Sequence, residues 1–133
     1  MKSRFIERVC LVLLFGALTP LAYAGIVDKK IPCPSINTIQ QAAPKINVAQ
    51  KDPDEPPYYV SGSKNPVFYE SDMAWWVSAS QISANSNEEA LALGKEMIQK
   101  VSIQLKPYAL DFGGHFLCEY RNGDVLAVGK RIK

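Results

Sequence analysis

The sequence predicts a small α+β domain, in which one main helix packs against an antiparallel sheet and one disulfide cross-links the chain. Three observations predict this fold. Short aromatic and β-branched segments precede an amphipathic helix, a hairpin motif follows that helix, and two cysteines flank most of the chain between them. We therefore expect a single small domain over residues 25–133, preceded by a leader over residues 1–24.

The leader has the features of a signal peptide. A basic start, with three cations in the first eight residues, precedes an apolar segment that extends to Leu21. Ala22-Tyr23-Ala24 then places small residues at positions −3 and −1 before Gly25. The apolar segment is shorter than the roughly 20 residues of a membrane span. We expect a periplasmic or secreted protein with no membrane span after processing; an uncleaved N-terminal anchor is the alternative.

Removal of the leader changes the charge of the protein. The whole chain has 15 basic and 13 acidic residues, whereas residues 25–133 have 12 of each. A mature domain near neutrality lacks the basic stripe that nucleic acid requires, so we expect no nucleic-acid partner. The mature length of 109 residues fits one domain with one modest core.

The cysteine count predicts a disulfide. Cys10 lies in the leader, so Cys33 and Cys118 are the two cysteines of the mature chain. An even number of cysteines in an oxidising compartment favours a Cys33–Cys118 disulfide. The alternative is two free thiols that serve as soft ligands.

Residues 25–57 are predicted to form an arm, a short helix and a proline-rich loop. Ser35 is positioned to cap a helix with apolar residues at Ile36, Ile39 and Ala43, which Pro44 ends. Residues 45–49 alternate in polarity and predict a brief strand. Three prolines among acidic residues in 50–57 indicate a surface loop.

Residues 58–133 are predicted to form the compact sheet, helix and hairpin. Strand candidates lie at 58–60, 67–69 and 73–80. Ser86-Asn87-Glu88-Glu89 is a capping box, and Gly94 within the apolar stripe would let the helix lie close to the sheet. The predicted stripe, which ends before Pro107, comprises Ala90, Leu91, Leu93, Met97, Ile98, Val101 and Leu105.

The C-terminal hairpin is predicted from Asn122-Gly123, a strong signal for a two-residue type I′ turn. That turn sets Tyr120 opposite Val125, Cys118 opposite Ala127 and Phe116 opposite Gly129 on one face of the sheet. The other face carries His115 and the pairs Leu117 with Val128 and Glu119 with Leu126. Gly113-Gly114 is interpreted as a bend that leads into this hairpin.

The sequence contains no catalytic motif, and we assign no catalytic residue and no metal site. His115 is the single histidine, which excludes multi-histidine metal sites, and paired cysteines leave no ligand set for zinc. Neither a nucleophile elbow nor a glycine-rich phosphate loop is present. The numbers of serines and acidic residues leave a Ser-His-Asp arrangement open.

Aromatic residues give the most suggestive binding signal. Trp75 and Trp76 are adjacent in one strand, so their side chains must point to opposite faces, and the question is which of the two is exposed. The same question applies to Tyr58 and Tyr59. An exposed aromatic pair on a sheet offers a stacking surface for a flat ligand, a sugar or a partner protein. The alternative is that the main helix covers one face and the arm with the Ser35 helix covers the other.

His115 is a conventional axial ligand for haem iron, and tyrosines can also be ligands. The predicted hairpin register places His115 and Tyr120 on opposite faces, so these two residues cannot hold one iron together. Cys33 beside Pro34 is a thiolate candidate if Cys33 lies outside the disulfide.

The layout resembles a family of short exported proteins from intracellular bacterial pathogens, mostly of unknown function, with a member described as hemin-binding. The resemblance covers most of the mature chain and rests on the leader and on four motifs: Cys33-Pro34-Ser35, Trp75-Trp76-Val77-Ser78, Ser86-Asn87-Glu88-Glu89 and Cys118-Glu119-Tyr120.

This resemblance favours haem binding, with hemin as a possible ligand. We expect no required cofactor. The expectation is a binding module in which His115 is the iron ligand and the aromatic surface comprises Trp75 or Trp76 with Tyr58 or Tyr59. A protein-interaction or host-directed factor without a small ligand is the alternative.

Overall fold

The computed structural model describes residues 30–69 and 72–132. The leader and the expected cleavage site before Gly25 lie outside these residues. The described chain is an antiparallel seven-stranded sheet packed by helices, which confirms the predicted α+β class. In chain order the elements are α1 (Ile36–Gln41), a 3₁₀ turn (Ala43–Lys45), β1 (Val48–Lys51), β2 (Tyr59–Gly62), β3 (Val67–Phe68), β4 (Met73–Ile82), α2 (Asn87–Gln99), β5 (Leu110–Phe112), β6 (His115–Tyr120) and β7 (Val125–Arg131).

The strands are arranged in the order β1-β2-β4-β7-β6-β5. The short strand β3 pairs with the first residues of β4, and β2 pairs with the last residues of the same strand. The final strand in the sequence, β7, therefore lies in the middle of the sheet between β4 and β6. Every strand pair is antiparallel.

The core lies on one face of the sheet. Helix α2 packs on β1, β2 and β4, and α1 contacts α2 on the same side. Gly94 faces the sheet so closely that a Cβ atom there would lie 1.6 Å from Ser61 Oγ, which confirms why a glycine occupies the apolar stripe. The largest fully buried side chains include Trp75, Tyr120, Ile39, Ile46, Met73 and Ile98.

The segment before α1 is joined to β6 and to the loop after α2. The predicted Cys33–Cys118 disulfide is present, so the free-thiol alternative does not apply. The Tyr120 hydroxyl donates a hydrogen bond to the Pro34 carbonyl, and the Cys33 amide donates to the Pro107 carbonyl at 2.9 Å. Burial, with a smaller effect from Tyr69, raises the pKa of the Tyr120 phenol well above its usual value. Tyr120 therefore stays a neutral donor.

Both predicted N-cap serines are confirmed. Ser35 Oγ accepts from the Thr38 amide at 3.2 Å, and Ser86 Oγ accepts from the Glu89 amide at 3.1 Å. The predicted end of the main helix is wrong, because α2 ends at Gln99 and Leu105 lies in the following loop with 44% exposure. Val101-Ser102-Ile103 has low helix propensity.

Tertiary hydrogen bonds hold this loop outside the helix. The Gln40 side chain donates to the Val101 carbonyl at 2.8 Å, and the Leu105 amide donates to the Glu119 carbonyl at 3.0 Å. The first bond reaches α1 and the second reaches β6. The conformation of the loop after Gln99 is thus determined by hydrogen bonds to neighbouring elements and not by the apolar periodicity of its sequence.

The hairpin register is confirmed, but the turn differs from the prediction. Residues 121–124 form the loop, and the positive φ angles lie at Arg121 (58°) and Gly123 (96°), not at Asn122. The Arg121 amide donates to the Ile103 carbonyl at 2.8 Å, which draws it away from the ladder. Tyr120 still pairs with Val125, because the four-residue loop consists of the predicted turn and the one residue on either side of it.

A second hairpin, between β5 and β6, was not predicted. Gly113 and Gly114, interpreted as a bend, are its two-residue turn, and both have positive φ (58° and 100°) as a type I′ turn requires. This hairpin sets Phe112 opposite His115.

Candidate functional site

One face of the sheet has no helix against it among the described residues. The alternative in which the arm with the Ser35 helix covers this face is wrong for the described residues, because Ile31 of the arm and Ile39 of α1 join the same buried cluster as Ile98 of α2. We call the uncovered side the open face. It is built from the alternate residues of the strands that point away from the core.

Strand register arranges the open face in three parallel rows. The central row is Trp76, Val128, Leu117 and Leu110. The histidine row is Phe68, Ala74, Lys130, His115 and Phe112. The glutamate row is Val48, Gly62, Ser78, Leu126 and Glu119.

His115 lies exposed in the histidine row between two different neighbours. Phe112, directly opposite on β5, is 60% exposed, and Lys130, directly opposite on β7, is also exposed. Directly opposed residues have Cβ atoms about 4.5–5.5 Å apart, so an aromatic ring, an imidazole and an ammonium group lie side by side. Leu117 follows two residues along β6 on the same face.

The two tryptophans lie on opposite faces. Trp75 is 1% exposed and stacks on Gly129, whose missing side chain leaves the room for its ring. Trp76 is half-buried in the central row of the open face. Of the pair, Trp76 alone is available to a ligand, because Trp75 is enclosed by the core.

The two tyrosines do not join this surface. Tyr59 is 5% exposed in the core, and Tyr58 is exposed just before β2. Tyr59 pairs with Ile82, six residues along β4 from Trp76, which corresponds to about 20 Å. The expected combination of Trp76 with Tyr58 or Tyr59 is therefore not assembled; Phe112 and Phe68 are the exposed aromatic residues of the open face.

The donor set of the open face fits a haem iron through one side chain. Among residues 30–69 and 72–132, no group of three or more histidine, cysteine or acidic side chains is placed to hold a metal ion. Both cysteines of the described chain are in the disulfide, and Met73 is 2% exposed. His115 would be the axial ligand, the neighbouring leucines and Phe112 would contact an apolar macrocycle, and Lys130 would meet an acidic substituent.

A groove of about 600 Å³ lies at the β1–β2 side of the open face. Its floor is the bare backbone at Gly62, where an added Cβ would lie 3.3 Å from the Val77 carbonyl oxygen. Val48, Val60 and Ser78 line the groove, and Lys64 lies at its rim. The groove is thus a hollow in the glutamate row.

A cavity of about 770 Å³ lies away from the open face between α2 and the β6–β7 turn. Its charged residues are paired with each other: Lys100 with Glu96 at 2.6 Å, and Arg121 with Asp124 at 3.6 Å. The Lys100 ammonium lowers the pKa of the exposed Glu96 carboxyl by a hydrogen bond and by its charge. These pairs leave no converging set of unpaired charges in the cavity.

Sequence reasoning missed the β5 side of the candidate site. Strand β5 supplies Leu110 and Phe112, and the signal was the Leu110-Asp111-Phe112 alternation directly before Gly113-Gly114. Lys130 was also overlooked as a neighbour of His115, although the predicted register already placed the two residues opposite each other.

No protein-family model, curated protein or solved structure matches this chain. No helix in the described part of the chain is long and apolar enough to cross a membrane.

Proposed function

We propose that the mature chain is an exported binding module, periplasmic or secreted, that binds hemin on the open face. The single observation that carries the proposal is the placement of His115 between Phe112 and Lys130, beside the apolar central row. The disulfide and the signal-peptide features of residues 1–24 support export.

The chemistry of these side chains matches the chemistry of hemin. Hemin combines an iron that accepts imidazole, an apolar macrocycle and acidic propionates. His115 supplies the imidazole, Leu117, Leu110 and Phe112 supply apolar surface, and Lys130 supplies a cation. Trp76 adds a further aromatic contact across β7.

We expect hemin titrated into the mature domain to give a saturable Soret shift, and His115→Ala to remove most of that shift. The imidazole is the ligand that determines the spectrum, so its loss changes ligation directly. Trp76→Ala should weaken affinity by about 1–3 kcal/mol without changing the spectrum of the bound state, because it removes only stacking and apolar contact. Absorbance titration measures both effects.

Tyr58→Ala is the matched control for this experiment. Tyr58 is an exposed aromatic residue that precedes β2, away from the histidine row, so its loss should leave both spectrum and affinity unchanged. An unchanged spectrum in His115→Ala would eliminate histidine ligation. The absence of any saturable shift in the wild type would contradict hemin binding altogether.

A protein-interaction role without a small ligand is the second candidate. The specific observation in its favour is the breadth of exposed apolar surface on the open face, where Phe68 is 66% and Phe112 60% exposed. Exposed apolar surface of this kind marks interaction sites in soluble proteins. An absent Soret shift in the wild type would favour this role.

A further inference from the structure

We infer that the open face is the interface of a symmetric homodimer, with a second copy of this chain as its occupant. The three rows are complementary to themselves. A two-fold axis along the central row lays Trp76, Val128, Leu117 and Leu110 over the same residues of the second copy. The inference goes beyond hemin binding and does not depend on it.

Charge complementarity favours this arrangement. A 180° rotation about the central row places the histidine row of one copy over the glutamate row of the other. Each residue then faces the same strand of the second copy. His115 of one copy then lies over Glu119 of the second copy, because both belong to β6. Lys130 lies one strand away from the same carboxylate. Two equivalent Lys130–Glu119 contacts result, as a two-fold interface requires.

Shape complementarity favours the same axis. Phe68 and Gly62 both lie beside β4, Phe68 in the histidine row and Gly62 in the glutamate row. The rotation therefore places the 66% exposed Phe68 of one copy over the groove of about 600 Å³ at Gly62 of the other. The most exposed aromatic ring thus meets the hollow of the open face.

The area of the open face indicates how tightly the two copies should associate. The seven strands contain 36 residues in total, and each residue occupies about 4.8 Å by about 3.3 Å of the sheet, which gives roughly 600 Å² per copy. The total of roughly 1,200 Å² is at the lower end of stable interfaces. We therefore expect a reversible dimer that dissociates on dilution.

Sedimentation equilibrium of the mature, disulfide-bonded protein without hemin tests the inference. Across a dilution series, the wild type should show a monomer–dimer equilibrium. Glu119→Lys and Lys130→Glu should each raise the dimer dissociation constant roughly tenfold or more, because each places like charges across the axis. The double variant, in which the charges are exchanged, should restore the dimer.

Phe68→Ala tests the shape argument and should also weaken the dimer. Ile103→Ala is its matched control, since Ile103 is 56% exposed but belongs to the loop after α2 and not to the open face. Thermal unfolding verifies that each variant is folded. A wild type that remains monomeric, single charge variants that dimerise normally, or a double variant as weak as the single ones would overturn the inference.

The two proposals fail separately. The dimer experiment contains no hemin, so its outcome does not decide whether hemin binds, and a missing Soret shift does not decide whether the dimer forms. Because both occupants need the histidine row, hemin and the second copy compete for this face.

Discussion

The Cys33→Ala/Cys118→Ala variant is expected to lose about 2–5 kcal/mol of unfolding free energy relative to the oxidised wild type. The disulfide closes a loop with a sequence separation of 85 residues, so its removal returns a large conformational entropy to the unfolded chain. Both cysteines are also buried in the core, where their truncation removes contacts. Urea-induced unfolding followed by circular dichroism measures the loss.

The same experiment with reductant provides the control. The wild type should lose stability when the disulfide is reduced, whereas the double variant should be insensitive to reductant. A loss below about 1 kcal/mol would show that the loop contributes little to the unfolded-state entropy. Two freely alkylatable thiols in the oxidised native protein would contradict the disulfide itself.

Gly129→Ala is expected to destabilise the domain by about 2–3 kcal/mol, the upper range for overpacking of a core. A Cβ atom at this position would lie 2.6–2.8 Å from three ring atoms of Trp75. The ring is 1% exposed in the middle of the sheet, so it has no free space into which to move. Thermal and urea unfolding measure the effect.

Trp75→Phe in the Gly129→Ala background tests the cause. The three crowded atoms belong to the six-membered ring of the indole, and a phenylalanine does not extend so far. The double variant should therefore lose less unfolding free energy than the losses of the two single variants added together. Strict additivity would show that the clash does not account for the loss. Gly123→Ala is not a suitable control, because Gly123 has a positive φ.

The fold was predictable where local chemistry agrees with the final packing. Ser35 and Ser86 cap their helices as the sequence indicates, and Gly94 occupies the close approach to Ser61. The end of α2 was not predictable from periodicity. Apolar residues continue past Gln99, and long-range hydrogen bonds at Val101 and Leu105 divert the chain from the helix.

The candidate site was predictable only in part. The hairpin register correctly placed His115, Leu117 and Glu119 on one face. The adjacent residues Trp75 and Trp76 must lie on opposite faces of the sheet, but the sequence does not indicate which of them is buried. The contact of Trp75 with Gly129 shows that Trp75 is the buried one. Because face assignment depends on which side of the sheet the helices occupy, the open face becomes visible only in the folded arrangement.

The central position of β7 has a consequence for the order of assembly during synthesis. Strand β4 lacks its β7 neighbour, and β6 and β5 lack their link to the rest of the sheet, until Val125–Arg131 has been made. Val125–Arg131 thus completes the middle of the sheet after the other six strands have been made. Non-local pairing of this kind slows folding and postpones it. A nascent chain without Val125–Arg131 therefore lacks the strand that joins the two halves of its sheet, and the native fold follows only after this strand has been made.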